Sequence, residues 1–180
     1  MSQYRKSPRA DWILYNEGSY FVTVCCKDHR HYFGEIHHGV MHHSAIGEFL
    51  DEELNNSSLH HRHISVPLHV VMPNHFHAIV HVETPARSGP IPTSVDERCP
   101  EGYLLATYRA PVTGRNQPLL SSYIGSLKSA VTRFAHSINM EFGWQPRYHD
   151  HMLRGSCDAN NISDYILNNI TKWESDCFNR

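Results

Sequence analysis

Two histidines separated by one residue, His75 and His77, are the side chains of this sequence best suited to hold a metal ion. An apolar run followed by Pro73-Asn74 precedes them, which predicts a hairpin whose second strand begins with the pair. Because side chains alternate along a strand, both imidazoles share one face and Phe76 lies on the other. Neutral imidazole is a common metal ligand. The pattern therefore predicts a metal site on a strand.

Other histidines offer alternatives, since the chain contains 16 of them and such a triplet can arise by chance. Two half-exposed sheet histidines without a ligand are the plain alternative for the first triplet. A rival triplet, His149-Asp150-His151, has a carboxylate that would be costly to bury, so we expect it on an exposed edge strand. Adjacent residues of a helix point about 100° apart, so we expect surface positions for the remaining grouped histidines: His42, His43, His60, His61 and His63.

A tyrosine and an asparagine near the C-terminus could supply the rest of a reaction site. Tyr165 and Asn169 are four residues apart, which makes them neighbours on a helix. A phenolic oxygen can act as a nucleophile, and an amide oxygen can bind a hard metal ion. The alternative for Tyr165 is a packed ring with a hydrogen-bonded hydroxyl. Helical spacing of apolar residues predicts this helix between Asp158 and Trp173: Ile162, Ile166, Ile170 and Trp173.

The segments that must position these residues alternate between strand and helix patterns. The apolar periods predict a strand from Tyr20 to Cys26, a helix from Val40 to about Leu54, the central hairpin, a helix from Ser121 or Ser122 to about Phe142, a strand from Arg147 to Arg154, and the terminal helix. This order is βαββαβ followed by one helix. It predicts an α+β fold, a ferredoxin-like antiparallel sheet with an additional C-terminal helix.

Composition sets the broad class of the protein. At 180 residues and 40% hydrophobic residues, residues 1–180 fit a single domain, with a flexible proline- and glycine-rich insertion expected at 84–119. No apolar run reaches the length of about 18 residues that crosses a membrane, so we expect a cytoplasmic protein without membrane contact. The net charge of −2 argues against tight non-specific DNA binding, although a local cluster of cations matters more than the sum.

Several ordered segments together resemble one family. Besides His75-Phe76-His77 and the Tyr-x-x-x-Asn pattern of Tyr165 and Asn169, they are Tyr20 to Cys25, Phe33 to Ile36, Val70 to Asn74, Lys128 to Thr132, and Trp144-Gln145. In this order they resemble the IS200-like, Y1-type transposases with a His-hydrophobic-His motif, and among them the REP-associated tyrosine transposases. The resemblance runs from about Tyr4 to Trp173, with Glu83 to about Leu119 unmatched.

The resemblance implies a metal-dependent transposase or endonuclease that cleaves and rejoins single-stranded DNA. Tyr165 would be the catalytic nucleophile and form a 5′-phosphotyrosine intermediate. His75, His77 and Asn169 would bind Mg²⁺ or Mn²⁺, with His151 beside the site but not a ligand. The family often has proline where Ile170 stands, so the helix is expected to continue here and the aim of Asn169 is open. The alternative is a domesticated DNA-binding protein of the same fold without strand transfer.

The partners implied are single-stranded or hairpin DNA and, from relatives that share sites between subunits, a homodimer. Basic side chains along the chain are candidates for contacts with the DNA backbone. The candidates are Arg5, Lys6, Lys128, Arg147, Arg154 and Lys172.

Overall fold

The computed structural model of the protein describes residues 18–83 and 119–179. Arg5 and Lys6 lie outside these residues, and so does the predicted insertion at 84–119 except Leu119, which is the first residue of a helix. No helix within the two described stretches is long and apolar enough to cross a membrane.

Ten strands and helices make up the described part of the chain. In order they are β1 (Gly18–Cys25), β2 (Gly34–His37), β3 (Val40–His43), α1 (Ala45–Asn55), α2 (Ser57–His60), β4 (Ile64–Met72), β5 (His75–Val82), α3 (Leu119–Ser137), β6 (His149–Met152) and α4 (Gly155–Leu167). Two 3₁₀ segments lie at Lys27–His29 and Ile170–Ser175.

Four of the strands form one antiparallel sheet in the order β4-β5-β1-β6. α1 lies in the connection between β1 and β4, α3 lies between β5 and β6, and α4 follows the last strand. The predicted α+β fold, a ferredoxin-like antiparallel sheet with an additional C-terminal helix, is therefore confirmed. The expected position of His149-Asp150-His151 on an edge strand is confirmed as well, because β6 pairs only with β1.

A second, two-stranded sheet was not expected from the sequence. The predicted helix start at Val40 is wrong: Val40–His43 pairs with Gly34–His37, and α1 begins only at Ala45. The two residues between the strands, His38 and Gly39, both have positive φ, 52° and 74°, as the tight hairpin turns that match strand twist require. Ser44 then caps α1, its side-chain oxygen accepting the Gly47 N–H at 3.1 Å.

The terminal helix is interrupted where the sequence predicted continuity to Trp173. α4 ends at Leu167, and a 3₁₀ segment begins at Ile170. The Asn168 side chain donates to the Asp164 carbonyl at 2.7 Å, and this local bond competes with a further helical turn. α3 likewise ends at Ser137 rather than near Phe142, and β6 is shorter than predicted because Arg147 has φ 72° and is not extended.

The two faces of the sheet carry different side chains. On one face the sheet packs against α1 and α3 in a single apolar core, which includes Tyr20, Val22, Val24, Phe76, Ala78, Val80, Ile46, Leu50, Ile124, Leu127 and Val131. The opposite face carries the three histidines of β5, His75, His77 and His81; the register places His77 opposite Thr23 and His75 opposite Cys25 on β1. We call this the site face; α4 and the residues after it lie on this side of the sheet.

A candidate metal and nucleophile site

His75 and His77 meet at their outer nitrogens. Their Nε2 atoms are 3.1 Å apart, and the side chains are 0% and 1% exposed. Phe76 between them belongs to the core on the other face, as strand alternation predicted. The alternative of two half-exposed sheet histidines is therefore wrong.

The inner nitrogen of each ring has a protein partner. Nδ1 of His75 lies 2.8 Å from Oδ1 of Asn74, and Nδ1 of His77 lies 2.8 Å from the Thr23 hydroxyl. Burial lowers the pKa of both rings far below the usual histidine range, and the neighbouring imidazoles lower it further. Both rings are therefore neutral near pH 7. A neutral imidazole carries one nitrogen lone pair, which is the form that binds a metal ion.

Tyr165 reaches this pair from α4 of the same chain. Its hydroxyl oxygen lies 3.3 Å from Nε2 of His77. Phe21 supports the arrangement because its ring stacks on His77 at 5.2 Å and meets the edge of Tyr165 at 6.0 Å. The tyrosine is 39% exposed, so one side of its ring remains open to solvent. Burial of the other side raises the pKa of the hydroxyl, which keeps it protonated near pH 7.

Asn169 lies beside Tyr165, and its buried amide makes no hydrogen bond to any of the described residues. The residue is 2% exposed, and within the described stretches neither Oδ1 nor Nδ2 has a hydrogen bond. The amide is near enough to the Tyr165 hydroxyl to oppose part of the rise in its pKa, but without the geometry of a hydrogen bond. An orphaned buried amide costs about 1–3 kcal/mol. The break in the helix at Asn168 places this unsatisfied group on the buried side.

These donors fit a divalent cation. Two neutral imidazoles with converging Nε2 atoms and one unpartnered amide oxygen are ligands that Mn²⁺ accepts, and Mg²⁺ accepts the oxygen. No group of three histidine, cysteine or acidic side chains that could hold a metal occurs in the part of the chain that the structure describes.

The predicted neighbour, His151, lies on the site face but outside the cluster. Its strand position is opposite Phe21, and its Nε2 is 3.0 Å from Oδ2 of Asp158 at the start of α4. The same carboxylate accepts the Arg154 backbone N–H at 3.0 Å, which lowers its pKa. The ring is half exposed, and its hydrogen bond goes to Asp158 rather than to the imidazole pair. Its place beside the site thus stays a prediction.

The predicted DNA contacts differ in their surroundings. Lys128 donates to the backbone carbonyls of Gln145 and Arg147 at 2.9 and 2.6 Å, and burial lowers its pKa to about 8. It therefore ties α3 to the segment before β6. Arg147, Arg154 and Lys172 are exposed. Contacts of all four with DNA remain predictions.

Four residues around the site were not anticipated as part of it: Thr23, Phe21, Asn74 and Phe178. Thr23 and Phe21 share the site face only through the β1–β5 register, which the sequence does not give. Asn74 belonged to the predicted turn, but its side-chain hydrogen bond to His75 was not predicted. Phe178 packs its ring 4.5 Å from that of His75, and no local pattern predicts this contact.

Comparison with known proteins supports the fold. No family model matches the chain. A Haemophilus influenzae protein that is described as uncharacterized is 29% identical over 175 residues, covering 96% of this chain and 92% of the relative. The solved structure of a REP-associated tyrosine transposase bound to a REP hairpin aligns with a TM-score of 0.55 and 20% identity, over 96% of this chain and 74% of that one. The chain is thus similar in fold to a tyrosine transposase.

Proposed function

We propose that the protein is a metal-dependent transposase or endonuclease for single-stranded DNA, which cleaves and rejoins its substrate through a 5′-phosphotyrosine intermediate. One observation carries the proposal. The Tyr165 hydroxyl lies 3.3 Å from Nε2 of His77, and that nitrogen lies 3.1 Å from Nε2 of His75. A candidate nucleophile and a candidate metal site are adjacent in one chain. The fold similarity to a tyrosine transposase supports this reading.

Tyr165 would supply the covalent step. Its phenolic oxygen attacks phosphorus, a Tyr–O–P bond forms, and the bond from phosphorus to the 3′ oxygen breaks. The phenolic proton leaves to water on the exposed side of the ring, and the released 3′ oxygen takes up a proton to become a hydroxyl. The phosphodiester is replaced by another ester. Attack by a 3′ hydroxyl on that ester therefore rejoins DNA without ATP.

His75, His77 and Asn169 would hold the cation. When bound, a divalent ion neutralises charge on the phosphate and fixes its position. The protein's own contribution is a buried, neutral and closely spaced ligand pair on a central strand. A strand holds ligands more rigidly than a loop does. Phe21 holds the His77 ring and the Tyr165 ring together from the other side.

The DNA would approach the exposed side of Tyr165. Single-stranded DNA suits a shallow site because its phosphates and bases are accessible. Arg147, Arg154 and Lys172 are the exposed described cations predicted to contact its backbone. With a net charge of −2, such local cations would have to provide the attraction. A single chain supplies all four site residues, so a homodimer is not needed to build the site.

A DNA-binding protein without strand transfer is the alternative. Such a protein would gain nothing from the buried amide of Asn169, since a buried polar group without a partner lowers stability. The buried position of this amide beside Tyr165, without a hydrogen bond to any described residue, favours the enzyme.

The experiment is adduct formation. The protein is incubated with Mn²⁺ and hairpin DNA with a single-stranded flank, labelled at either the 5′ or the 3′ end, and denatured before electrophoresis. We expect a covalent adduct that retains only the 3′ label and disappears with Tyr165→Phe. Tyr148→Phe is the matched control, because the Tyr148 hydroxyl bonds Ser121 away from the site, and it should form the adduct. An adduct with Tyr165→Phe would refute the nucleophile, and DNA binding without any adduct would favour the alternative.

A further inference from the structure

Asn74 is a buried side chain with three hydrogen-bond contacts, and it touches only one of the two site histidines. It is 0% exposed and lies in the turn between β4 and β5. Its Nδ2 donates to the backbone carbonyls of His29 at 3.1 Å and Phe178 at 2.8 Å, and its Oδ1 lies 2.8 Å from Nδ1 of His75. These contacts join three distant parts of the chain at one amide.

The two carbonyl contacts fix which way the amide points. A carbonyl oxygen only accepts hydrogen bonds, so the amide nitrogen of Asn74 must face His29 and Phe178. Its oxygen must then face His75, and this oxygen too can only accept. Nδ1 of His75 therefore carries the proton. In a neutral ring this leaves the lone pair on Nε2, the atom that faces His77.

The hydrogen-bond partner of His77 does not fix which ring nitrogen carries the proton. The Thr23 hydroxyl at 2.8 Å from Nδ1 can donate or accept. Without a cation, His77 can place its proton on Nε2 and donate to the lone pair of His75 at 3.1 Å, while Thr23 donates to Nδ1. With a cation, the proton moves to Nδ1 and Thr23 accepts. One ring is thus fixed in the form that binds a metal, and the other can exchange between two forms.

We propose that Asn74 is a positioning residue that locks His75 in the Nδ1–H form, while Thr23 leaves His77 free to change its tautomer when a metal ion enters. This inference rests on the proposed function, because it assigns roles around the same metal site. The His29 carbonyl comes from a turn in which Asp28 and His29 both have positive φ, 54° and 53°. That turn presents the carbonyl to Asn74 rather than to its own helix.

The backbone of the turn does not depend on the Asn74 side chain. The Pro73 carbonyl accepts the Phe33 N–H at 3.0 Å, and the Asn74 carbonyl accepts the Cys26 N–H at 2.8 Å. A substitution at position 74 keeps both bonds. The side chain can therefore be tested separately from the hairpin that it belongs to.

The test is the tautomer of His75 in the metal-free protein, measured from ¹⁵N chemical shifts of ¹⁵N-histidine-labelled protein. We expect a protonated Nδ1 and an unprotonated Nε2 in the native protein. Asn74→Ala should shift His75 toward the Nε2–H form and weaken Mn²⁺ binding by about 10- to 100-fold. Thr23→Val is the matched change at the other ring and should leave the His75 signals unchanged.

Two results would overturn the inference: an Nε2–H form of His75 in the native protein, or an unchanged tautomer and unchanged Mn²⁺ affinity in Asn74→Ala. The native measurement keeps the test decisive even if Asn74→Ala fails to fold. Failure of the proposed function is a separate outcome. A native protein with Nδ1–H on His75 but no Mn²⁺ binding would refute the metal site and leave the role of Asn74 intact.

Discussion

The two faces of the sheet are built by opposite rules. On the core face, residues such as Phe76, Val22 and Val24 are fully buried against apolar neighbours and need no specific partner. On the site face, His75 and His77 are equally buried, yet each depends on specific hydrogen-bond partners, and Asn169 has none within the described residues. Burial stabilises the first face and costs free energy on the second. The comparison teaches that the core supplies stability and the site face uses some of it.

The largest expected effect is on the core face. Phe76→Ala removes a ring that is 0% exposed and leaves a cavity, so we expect the free energy of unfolding to fall by about 3–5 kcal/mol. Denaturant unfolding measures this. A loss below about 1 kcal/mol would mean that the core can collapse around the gap, and the contrast between the faces would be weaker than the burial indicates.

On the site face, a substitution is expected to raise the free energy of unfolding rather than lower it. Asn169→Leu replaces an orphaned amide with an apolar side chain of similar size, so we expect a gain of about 1–3 kcal/mol in the free energy of unfolding. Mn²⁺ affinity, measured by calorimetry, should fall in the same variant. The neighbouring Asn168→Leu is the matched control: it loses the bond to Asp164 and should gain no stability. Destabilisation by Asn169→Leu would show that the amide has a partner in solution.

Two tyrosines, one in the core and one at the site, allow a comparison of smaller effects on stability. Tyr123 in the core is 2% exposed, and its hydroxyl lies 2.6 Å from that of Ser57, so Tyr123→Phe should cost about 0.5–1.5 kcal/mol. Tyr165→Phe removes a longer contact of 3.3 Å from a ring that is 39% exposed, and its cost should be smaller. Thermal unfolding of both variants tests this order. A larger cost for Tyr165→Phe would indicate a mainly structural role for that hydroxyl.

The smallest expected effect is on how the free energy of unfolding changes with pH, and it comes from Lys128 at the edge of the core. Burial lowers the pKa of Lys128 to about 8 from its ordinary value of 10.5, so the folded protein binds this proton less tightly than the unfolded chain. The unfolded state then holds more protons between these values, and stability should rise with pH in that window relative to Lys128→Met. Partial exposure of the amine keeps the slope modest. Buried thiols such as Cys25, whose pKa burial raises to about 11, act oppositely but occur in both proteins. Equal slopes in both proteins would contradict the burial of the charge.

Periodicity gave the parts of this fold that depend on local spacing. Strand alternation placed His75 and His77 on one face, and helical spacing predicted the helix that carries Tyr165, although Asn169 lies beyond the end of that helix at Leu167. What failed depended on distant or competing bonds. The β2–β3 hairpin was missed although His38-Gly39 is a turn signal, and the break at Asn168 follows from a side-chain bond that competes with the helix. The role of Asn74 depends on carbonyls 45 and 104 residues away, which no sequence pattern contains.

Pulsed EPR of Mn²⁺ bound to ¹⁵N-histidine-labelled protein tests the central claim most directly. The account predicts a single tightly bound ion coupled to two imidazole nitrogens. One coupling should be lost in His77→Gln, whereas His60→Gln, a change at an exposed position of α2, should retain both. Absence of imidazole coupling in the native protein, or two couplings that persist when both His75 and His77 are replaced by glutamine, would contradict a metal site at the buried pair.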